Sequence, residues 1–215
     1  MNREVESKFE VNEADFNLIK NYLSNVNSIG HFELGAEKIQ SIQDHYFDFD
    51  DYFFFNQGGS LRVRLSENSS VIKIALKNNG SRTKFGQLDR EEIEGEATVE
   101  VFNEIIDKIN EIKIQEIKIS NITFDDLILK GVWGILEEIG TNKVLVAESN
   151  RLKRSIELSG IEIGEISLDN VQYKKNLTIQ KYFELEIETL SNNLEEIEFI
   201  SSSIKKKFPN LSFTF

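Results

Sequence analysis

The beginning of the chain alternates charged and apolar side chains, and this alternation constrains the fold more than any other feature of the sequence. Successive side chains of a strand point to opposite faces, so Glu4, Glu6 and Lys8 share one face while Val5 and Phe9 share the other. A charged face that meets bulk water serves only solubility. A charged face inside a closed sheet must be balanced by other charges, a metal ion or a ligand.

The same alternation returns in later segments of the chain. Arg62 and Arg64 alternate with apolar residues in one segment, and Lys73 and Lys77 do so in the next. Further segments with charged residues in phase lie at 43–48, 88–94, 151–158, 164–171 and 182–188. Together they predict about eight strands, which are mostly antiparallel because their connections are short.

Helical periodicity interrupts the strands in three places. Apolar residues recur at helical spacing over about 12–24, 98–136 and 193–208, although the boundaries within 114–129 are ambiguous. We therefore expect an α+β, β-rich chain with flanking helices. We expect one domain over 1–215, with a helical insertion at about 98–136 and a C-terminal helix at about 193–208.

An eight-stranded antiparallel sheet can close into a β-barrel whose interior holds a ligand. No protein buries many charged side chains as a plain core, so this interior is expected to be wet and its charges partly balanced. The side chains expected there are Glu4, Glu6, Lys8, Arg62, Arg64, Lys73, Lys77, Arg90, Glu92, Glu94, Arg151, Lys153, Asp169, Glu184, Glu186 and Glu188.

Composition excludes several classes of protein. The formal net charge of −12 disfavours binding to DNA, which attracts basic proteins. The absence of cysteine excludes disulfides and thiolate metal sites, and two histidines are too few for a histidine-rich zinc site. No apolar run reaches membrane length, and the N-terminus does not resemble a signal peptide. We expect a cytoplasmic protein with no membrane partner.

The two signs of charge suggest different ligands. Carboxylates on a first and a last strand suit a hard cation such as Mg²⁺ or Mn²⁺. Arginine and lysine suit phosphate oxygens, because arginine offers a planar fork and lysine a compact charge. A site for a metal ion and a chain of phosphates indicates a triphosphate ligand.

Seven short motifs resemble, in order, those of the CYTH superfamily, the triphosphate tunnel metalloenzymes. They span residues 4–188, and together they are far more specific than the first motif alone. The motifs are Glu4-Val5-Glu6-Ser7-Lys8, Gln43-Asp44-His45-Tyr46-Phe47-Asp48, Leu61-Arg62-Val63-Arg64, Ile74-Ala75-Leu76-Lys77, Arg90-Glu91-Glu92-Ile93-Glu94, Leu168-Asp169 and Phe183-Glu184-Leu185-Glu186-Ile187-Glu188.

The resemblance implies a triphosphate tunnel and assigns roles to these residues. Metal ligands would come from Glu4, Glu6, Asp169, Glu184, Glu186 and Glu188. Phosphates would be held by Lys8, Arg62, Arg64, Lys73, Lys77, Arg90, Arg151 and Lys153. Glu4, Glu6 and Lys8 would take part in catalysis, with Glu92 as a carboxylate that orients water. Around 149–155 the register is open, because Arg151 and Lys153 share one face and Arg154 lies on the other.

The leading hypothesis is an Mg²⁺- or Mn²⁺-dependent hydrolase of a small-molecule triphosphate, either inorganic triphosphate or an organic or nucleoside triphosphate. One alternative is a class IV-type adenylate cyclase, in which a ribose hydroxyl attacks instead of water. A second alternative is a module that binds a polyphosphate or nucleotide without turnover. The resemblance is also compatible with a homodimer.

Overall fold

In the computed structural model of the protein, segments with alternating apolar and charged residues form strands, and these strands make up most of the secondary structure. It describes residues 2–67, 69–83, 87–113, 119–175, 178–189 and 194–213, without the side chains of residues 2–4 and 175. The elements along these residues are β1 (Asn2–Glu10), α1 (Glu13–Asn25), β2 (Ser28–Ile29), β3 (Phe32–Leu34), β4 (Lys38–Asp48), α2 (Phe53–Asn56), β5 (Ser60–Ser66), β6 (Lys73–Lys77), β7 (Ser81–Arg82), β8 (Leu88–Glu96), α3 (Val99–Ile112), α4 (Phe124–Glu138), β9 (Asn142–Leu158), β10 (Ile161–Lys175), β11 (Thr178–Thr189), α5 (Leu194–Lys207) and β12 (Ser212–Phe213).

The hydrogen-bonded order of the strands confirms the predicted fold class. Eight strands follow one another in the order β10-β11-β1-β8-β6-β5-β4-β9, and β10 also pairs with β9. The eight strands therefore form a closed antiparallel β-barrel. The short strands β3 and β2 follow β9 in the sheet, while β7 pairs with β8 and β12 with β1.

The chain divides into two compact units. Unit 1 comprises residues 1–2, 43–79 and 91–147, and unit 2 comprises residues 3–42, 80–90 and 148–215. The expectation of a single domain over 1–215 stays a prediction. Within the described residues, none of the helices combines the length and the apolar character needed to cross a membrane.

The core of unit 1 lies between its strands and helix α3. Leu61 and Val63 of β5 are fully buried, as are Ile105 and Ile109 of α3, and all four belong to one apolar cluster. Thr98 caps α3 by accepting a hydrogen bond from the backbone N–H of Val101. Because side chains alternate along a strand, the arginines and lysines of β5 and β6 lie on the opposite face from this core.

Helix α4 starts within the stretch where sequence periodicity was ambiguous. Thr123 and Asp126 form a capping box at its N-terminus. The helix is kinked at Gly131, whose φ of 65° and ψ of 177° belong to a region that is open essentially to glycine alone. Residues 114–118, which belong to the same ambiguous stretch, lie outside the described residues.

The core of unit 2 gathers apolar side chains from its strands and from helices α1 and α5. Phe9 of β1 and Leu185 of β11 are fully buried, together with Ile19 and Leu23 of α1 and Ile204 of α5. Strand β11 pairs with both β1 and β10 in antiparallel register. Lys8 of β1, Asp169 of β10 and Glu184 and Glu186 of β11 again lie on the face opposite to the core.

The structure resolves the open register around 149–155. Arg154 lies on the same face of β9 as the core residues Leu152 and Ile156, and it is 7% exposed. Arg151 and Lys153 lie on the other face.

Arg154 has no catalytic geometry because its guanidinium binds backbone carbonyls. Nε donates to Gly35 O at 2.6 Å, Nη2 donates to Leu34 O at 2.8 Å, and Nη1 donates to both Leu23 O and Val26 O at 2.6 Å. Leu23 belongs to the last turn of α1, where carbonyls lack helical partners. Arg154 therefore joins the end of this helix to the backbone of residues 34–35.

We expect Arg154→Met to lower the free energy of unfolding by about 3 kcal/mol or more, because it leaves buried carbonyls without donors. Denaturant unfolding followed by circular dichroism measures this change. Lys20→Met, on the exposed side of α1, is the control and should shift stability by less than about 0.5 kcal/mol. Equal stability of the two variants would contradict a structural role for Arg154.

Candidate functional site

Three carboxylates on β10 and β11 form a tight cluster in unit 2. Asp169, Glu184 and Glu186 each place one oxygen within 4.8 Å of the others, and we call them the three-carboxylate cluster. The strand register explains the cluster, because Asp169 lies directly opposite Glu184 and Glu186 is two residues further along the same face.

Lys8 and Arg151 hold the three-carboxylate cluster from either side. Lys8 Nζ lies 3.0 Å from Glu184 Oε2 and 2.8 Å from Glu186 Oε1. Arg151 Nη2 lies 2.6 Å from Asp169 Oδ2 and 3.0 Å from Glu186 Oε2. Burial opposes the charge of Lys8, but Glu186 and Glu184 outweigh it and raise the pKa of Lys8 well above its usual value. Both cations therefore remain charged at neutral pH.

Glu184 is a buried carboxyl whose ionised form its neighbours do not fully balance. It is 6% exposed, and burial, followed by the charges of Glu186 and Asp169, raises its pKa to about 7 although Lys8 opposes the shift. Its buried Oε2 accepts no well-oriented hydrogen bond from the described residues, although the Lys8 ammonium is 3.0 Å away. A hard divalent cation would supply the missing positive charge, so these oxygen ligands fit Mg²⁺ or Mn²⁺.

Glu6, another predicted acidic residue of unit 2, lies in an ion pair with Arg90. Glu6 is 3% exposed and accepts a hydrogen bond from Arg90 Nη2 at 2.8 Å. Glu188 lies opposite both Glu6 and Glu165 in the register of the strands. The backbone of Glu4 belongs to β1, but its side chain lies outside the described residues, so its proposed ligand role stays a prediction.

The four basic residues predicted on β5 and β6 lie together in unit 1. Arg62 lies opposite Ala75 and Arg64 opposite Lys73 in the register of the two strands. Lys77 Nζ lies 3.1 Å from Glu92 Oε1, so the carboxylate that we assigned to water orientation pairs with a predicted phosphate ligand. Lys73 is the most exposed of the four, with 52% of its side chain accessible.

Sequence reasoning missed two carboxylates that contact predicted phosphate ligands. Asp44 binds Arg64 through two hydrogen bonds of 2.8 Å, and Glu165 Oε2 lies 2.5 Å from Lys153 Nζ. The sequence did contain a pattern that could have identified Asp44. Strand alternation places Asp44 on the same face as Tyr46 and Asp48, the residues two and four positions later. Its partner could not be read from the sequence.

Among the predicted site residues and the carboxylates that contact them, the balance of charge differs between the two units. In unit 2 the acidic members of this set are Glu6, Glu165, Asp169, Glu184, Glu186 and Glu188, and the basic members are Lys8, Arg90, Arg151 and Lys153. In unit 1 the basic members of this set are Arg62, Arg64, Lys73 and Lys77, and the acidic members are Asp44, Glu92 and Glu94. The first set suits a cation and the second an anion.

Protonation of Glu184 should make the stability of the chain pH-dependent. Because its pKa is about 7 in the folded chain and near 4.5 in the unfolded chain, the folded state binds more protons between these values. The contribution of this carboxyl to stability therefore falls as the pH rises from about 4.5 to about 7.

We expect Glu184→Gln to remove the fall in stability that ionisation of Glu184 causes as the pH rises. In EDTA, the stability of the variant relative to the wild type should be about 2–3 kcal/mol more favourable at pH 8 than at pH 4.5, measured by denaturant unfolding. Glu162→Gln, an exposed glutamate of β10, is the matched control and should show no such difference. A relative stability of Glu184→Gln that does not change with pH would contradict the raised pKa.

Comparison with known proteins identifies the family of the chain. Among solved structures, a putative adenylate cyclase from Bacillus halodurans is 19% identical with a TM-score of 0.56, and the match covers 100% of this chain and 95% of that chain. A putative adenylyl cyclase from Hippeastrum, described as having a dominant triphosphatase activity, is 15% identical with a TM-score of 0.56 and coverage of 98% and 90%. A Pyrococcus horikoshii protein is 22% identical with a TM-score of 0.54 and coverage of 98% and 93%.

These similarities support the fold of the chain. They extend no further than the fold, because the sequence identity is low in each case. A search of curated proteins found no match. The sequence profile of the CYTH domain matches residues 2–208, which is nearly the whole length. The protein therefore belongs to the CYTH domain family.

Proposed function

We propose that the protein is a metal-dependent hydrolase of a small-molecule triphosphate. The observation that carries this proposal is the buried three-carboxylate cluster with its excess negative charge, in a chain of the CYTH family. The Hippeastrum protein of the same fold has a dominant triphosphatase activity, which supports hydrolysis as the first reaction to test. The net charge of −12 favours a small anion that is held locally over an extended DNA.

The acidic residues of unit 2 would hold the metal ion. Asp169, Glu184 and Glu186 are the proposed central ligands. Glu6 and Glu188, which lie opposite each other in the register of β1 and β11, are proposed further ligands, and so is Glu4. A bound Mg²⁺ or Mn²⁺ would supply Lewis-acid chemistry, since it neutralises phosphate oxygens and polarises the phosphoryl group. Lys8 and Arg151 already contact this cluster, and their positive charges would also attract the phosphates of the substrate.

The basic residues would bind and orient the phosphates. Arginine forks match pairs of phosphate oxygens, whereas lysine supplies a single compact charge. The proposed phosphate ligands are Arg62, Arg64, Lys73 and Lys77 of unit 1 and Lys8, Arg90, Arg151 and Lys153 of unit 2. Each of these residues pairs with a carboxylate in the structure, so the substrate would meet cations that are already ordered.

Hydrolysis of a triphosphate needs positioning and charge neutralisation more than covalent chemistry. Glu92 is 9% exposed and contacts Lys77, which gives it a defined position beside a proposed phosphate ligand. We propose that Glu92 orients the attacking water. A cyclase reaction would use the same charged residues with a ribose hydroxyl as nucleophile, so product analysis separates the two reactions.

The experiment is phosphate release from inorganic triphosphate, ATP, GTP and thiamine triphosphate, each with Mg²⁺, with Mn²⁺ and with EDTA. We expect release from at least one substrate that depends on the metal ion and yields no cyclic AMP. Formation of cyclic AMP from ATP would show that the protein is a cyclase and not a hydrolase. Binding of triphosphate without any product would indicate a binding module.

We expect Glu186→Gln to lower kcat/KM by about 100-fold or more, because it removes a proposed metal ligand that also contacts Lys8 and Arg151. Steady-state phosphate release measures the effect. Glu162→Gln is the matched control on the exposed part of β10 and should keep the wild-type rate. Full metal-dependent activity of Glu186→Gln would refute the metal assignment.

A further inference from the structure

Asp44 contacts both arginines of β5, although no role has been assigned to it so far. Arg64 donates to it through two parallel hydrogen bonds, from Nε to Oδ1 and from Nη2 to Oδ2, each of 2.8 Å. This fork geometry is the strongest arrangement of an arginine and a carboxylate. Arg62 Nη1 lies 3.6 Å from Asp44 Oδ2, which is an ionic contact but too long for a hydrogen bond.

All three side chains are largely removed from water. Asp44 is 6% exposed, and the side chains of Arg62 and Arg64 are 12% and 16% exposed. A buried guanidinium needs a nearby counter-charge, and an unpaired one would destabilise the fold. Burial opposes the charge of Arg62, but the neighbouring acidic groups, of which Asp44 has the largest effect, together raise the pKa of Arg62 above its usual value.

The two arginines differ in how well their donors are satisfied. Arg64 is clamped by Asp44, whereas Arg62 Nη2 donates to Glu94 Oε2 at 3.1 Å and its buried Nε has no hydrogen-bond partner among the described residues. A buried donor without a partner carries a cost that an incoming acceptor removes. The Nε of Arg62, which has no hydrogen-bond acceptor among the described residues, is therefore consistent with a site where an anionic ligand supplies that acceptor.

We infer that Asp44 is a positioning residue that orders Arg62 and Arg64 for binding a phosphate chain. Arginine loses rotamer freedom when its side chain is immobilised, and Asp44 imposes that order before the substrate arrives. The substrate then meets one fork fixed by Asp44 and a second guanidinium with an unfilled donor. This inference rests on the proposed function, since it assumes that the anion is a triphosphate.

A competing interpretation makes Asp44 a simple counter-ion. A counter-ion would repel the substrate and compete with it for the arginines, so its removal would tighten binding. Removing a positioning residue would weaken binding, because part of the binding free energy would then be spent on ordering the arginines. The exact position of the carboxylate matters only if Asp44 is a positioning residue.

The test measures binding of sodium tripolyphosphate to the full chain by calorimetry in EDTA, and kcat and KM with Mg²⁺. We expect Asp44→Asn to raise the dissociation constant and KM by about tenfold, with kcat changed by less than about threefold. Asp44→Glu keeps the charge but moves the carboxylate by one methylene, and we expect a rise of about threefold or more. Asp51→Asn is the control, since it is the same substitution on a carboxylate that is 62% exposed and pairs with Lys113.

The outcomes separate the two interpretations. Wild-type affinity in both Asp44 variants, or tighter binding in Asp44→Asn, would overturn the positioning role. If Asp44→Asn does not fold, Asp44→Glu decides the matter, because a counter-ion tolerates the longer side chain and a positioning residue does not. A wild type that binds tripolyphosphate but releases phosphate from none of the four triphosphates would refute the proposed hydrolase and leave the positioning role to the binding data. A wild type that does not bind tripolyphosphate would overturn the positioning role, and the hydrolase would then be judged by phosphate release from the other triphosphates.

A double-mutant cycle tests whether Asp44 acts through Arg64. In an Arg64→Met background, we expect Asp44→Asn to change the dissociation constant for tripolyphosphate by less than about twofold, because its principal partner is already absent. A full tenfold loss in that background would contradict action through Arg64.

Discussion

Pairing between buried carboxylates and basic side chains is the interaction on which the rest of the structure depends. Strands β1, β5 and β11 each have one apolar face that packs in a hydrophobic core, and alternation leaves charged residues on the other face. Such residues lose water and must be matched, as Lys8 is by Glu186 and Arg64 is by Asp44. Removing one partner of such a pair is costly, because the other charge is left buried without a counter-charge.

The pairing is incomplete, and the incompleteness suggests function. Glu184 has a raised pKa because burial and neighbouring carboxylates outweigh Lys8, while Arg62 has a buried donor that lacks a partner. The first feature is a deficit of positive charge in unit 2. The second is a deficit of acceptors in unit 1. A metal ion would meet the first and phosphate oxygens the second, which is why we propose a triphosphate as the substrate.

Arginine has two different roles in this chain. Arg151 pairs with Asp169 and Glu186, whereas Arg154 donates to backbone carbonyls at the end of α1 and at residues 34–35. The difference follows from strand parity, since residues three apart lie on opposite faces of β9. Arg154 thus stabilises the packing of a helix, and Arg151 belongs to the candidate site.

The sequence by itself determined the long strands and the face that most of their charged side chains would take, because the period of two is a local property of extended backbone. Leu61-Arg62-Val63-Arg64 could hardly be arranged otherwise once Leu61 and Val63 were buried. Tertiary structure decided which charge meets which. Asp44 finds Arg64 twenty residues away, and Asp169 meets Glu184 only through the register of β10 and β11. It also decided the role of Arg154, because polar residues on both faces of 151–155 left the pattern ambiguous until Leu152 and Ile156 packed into the core.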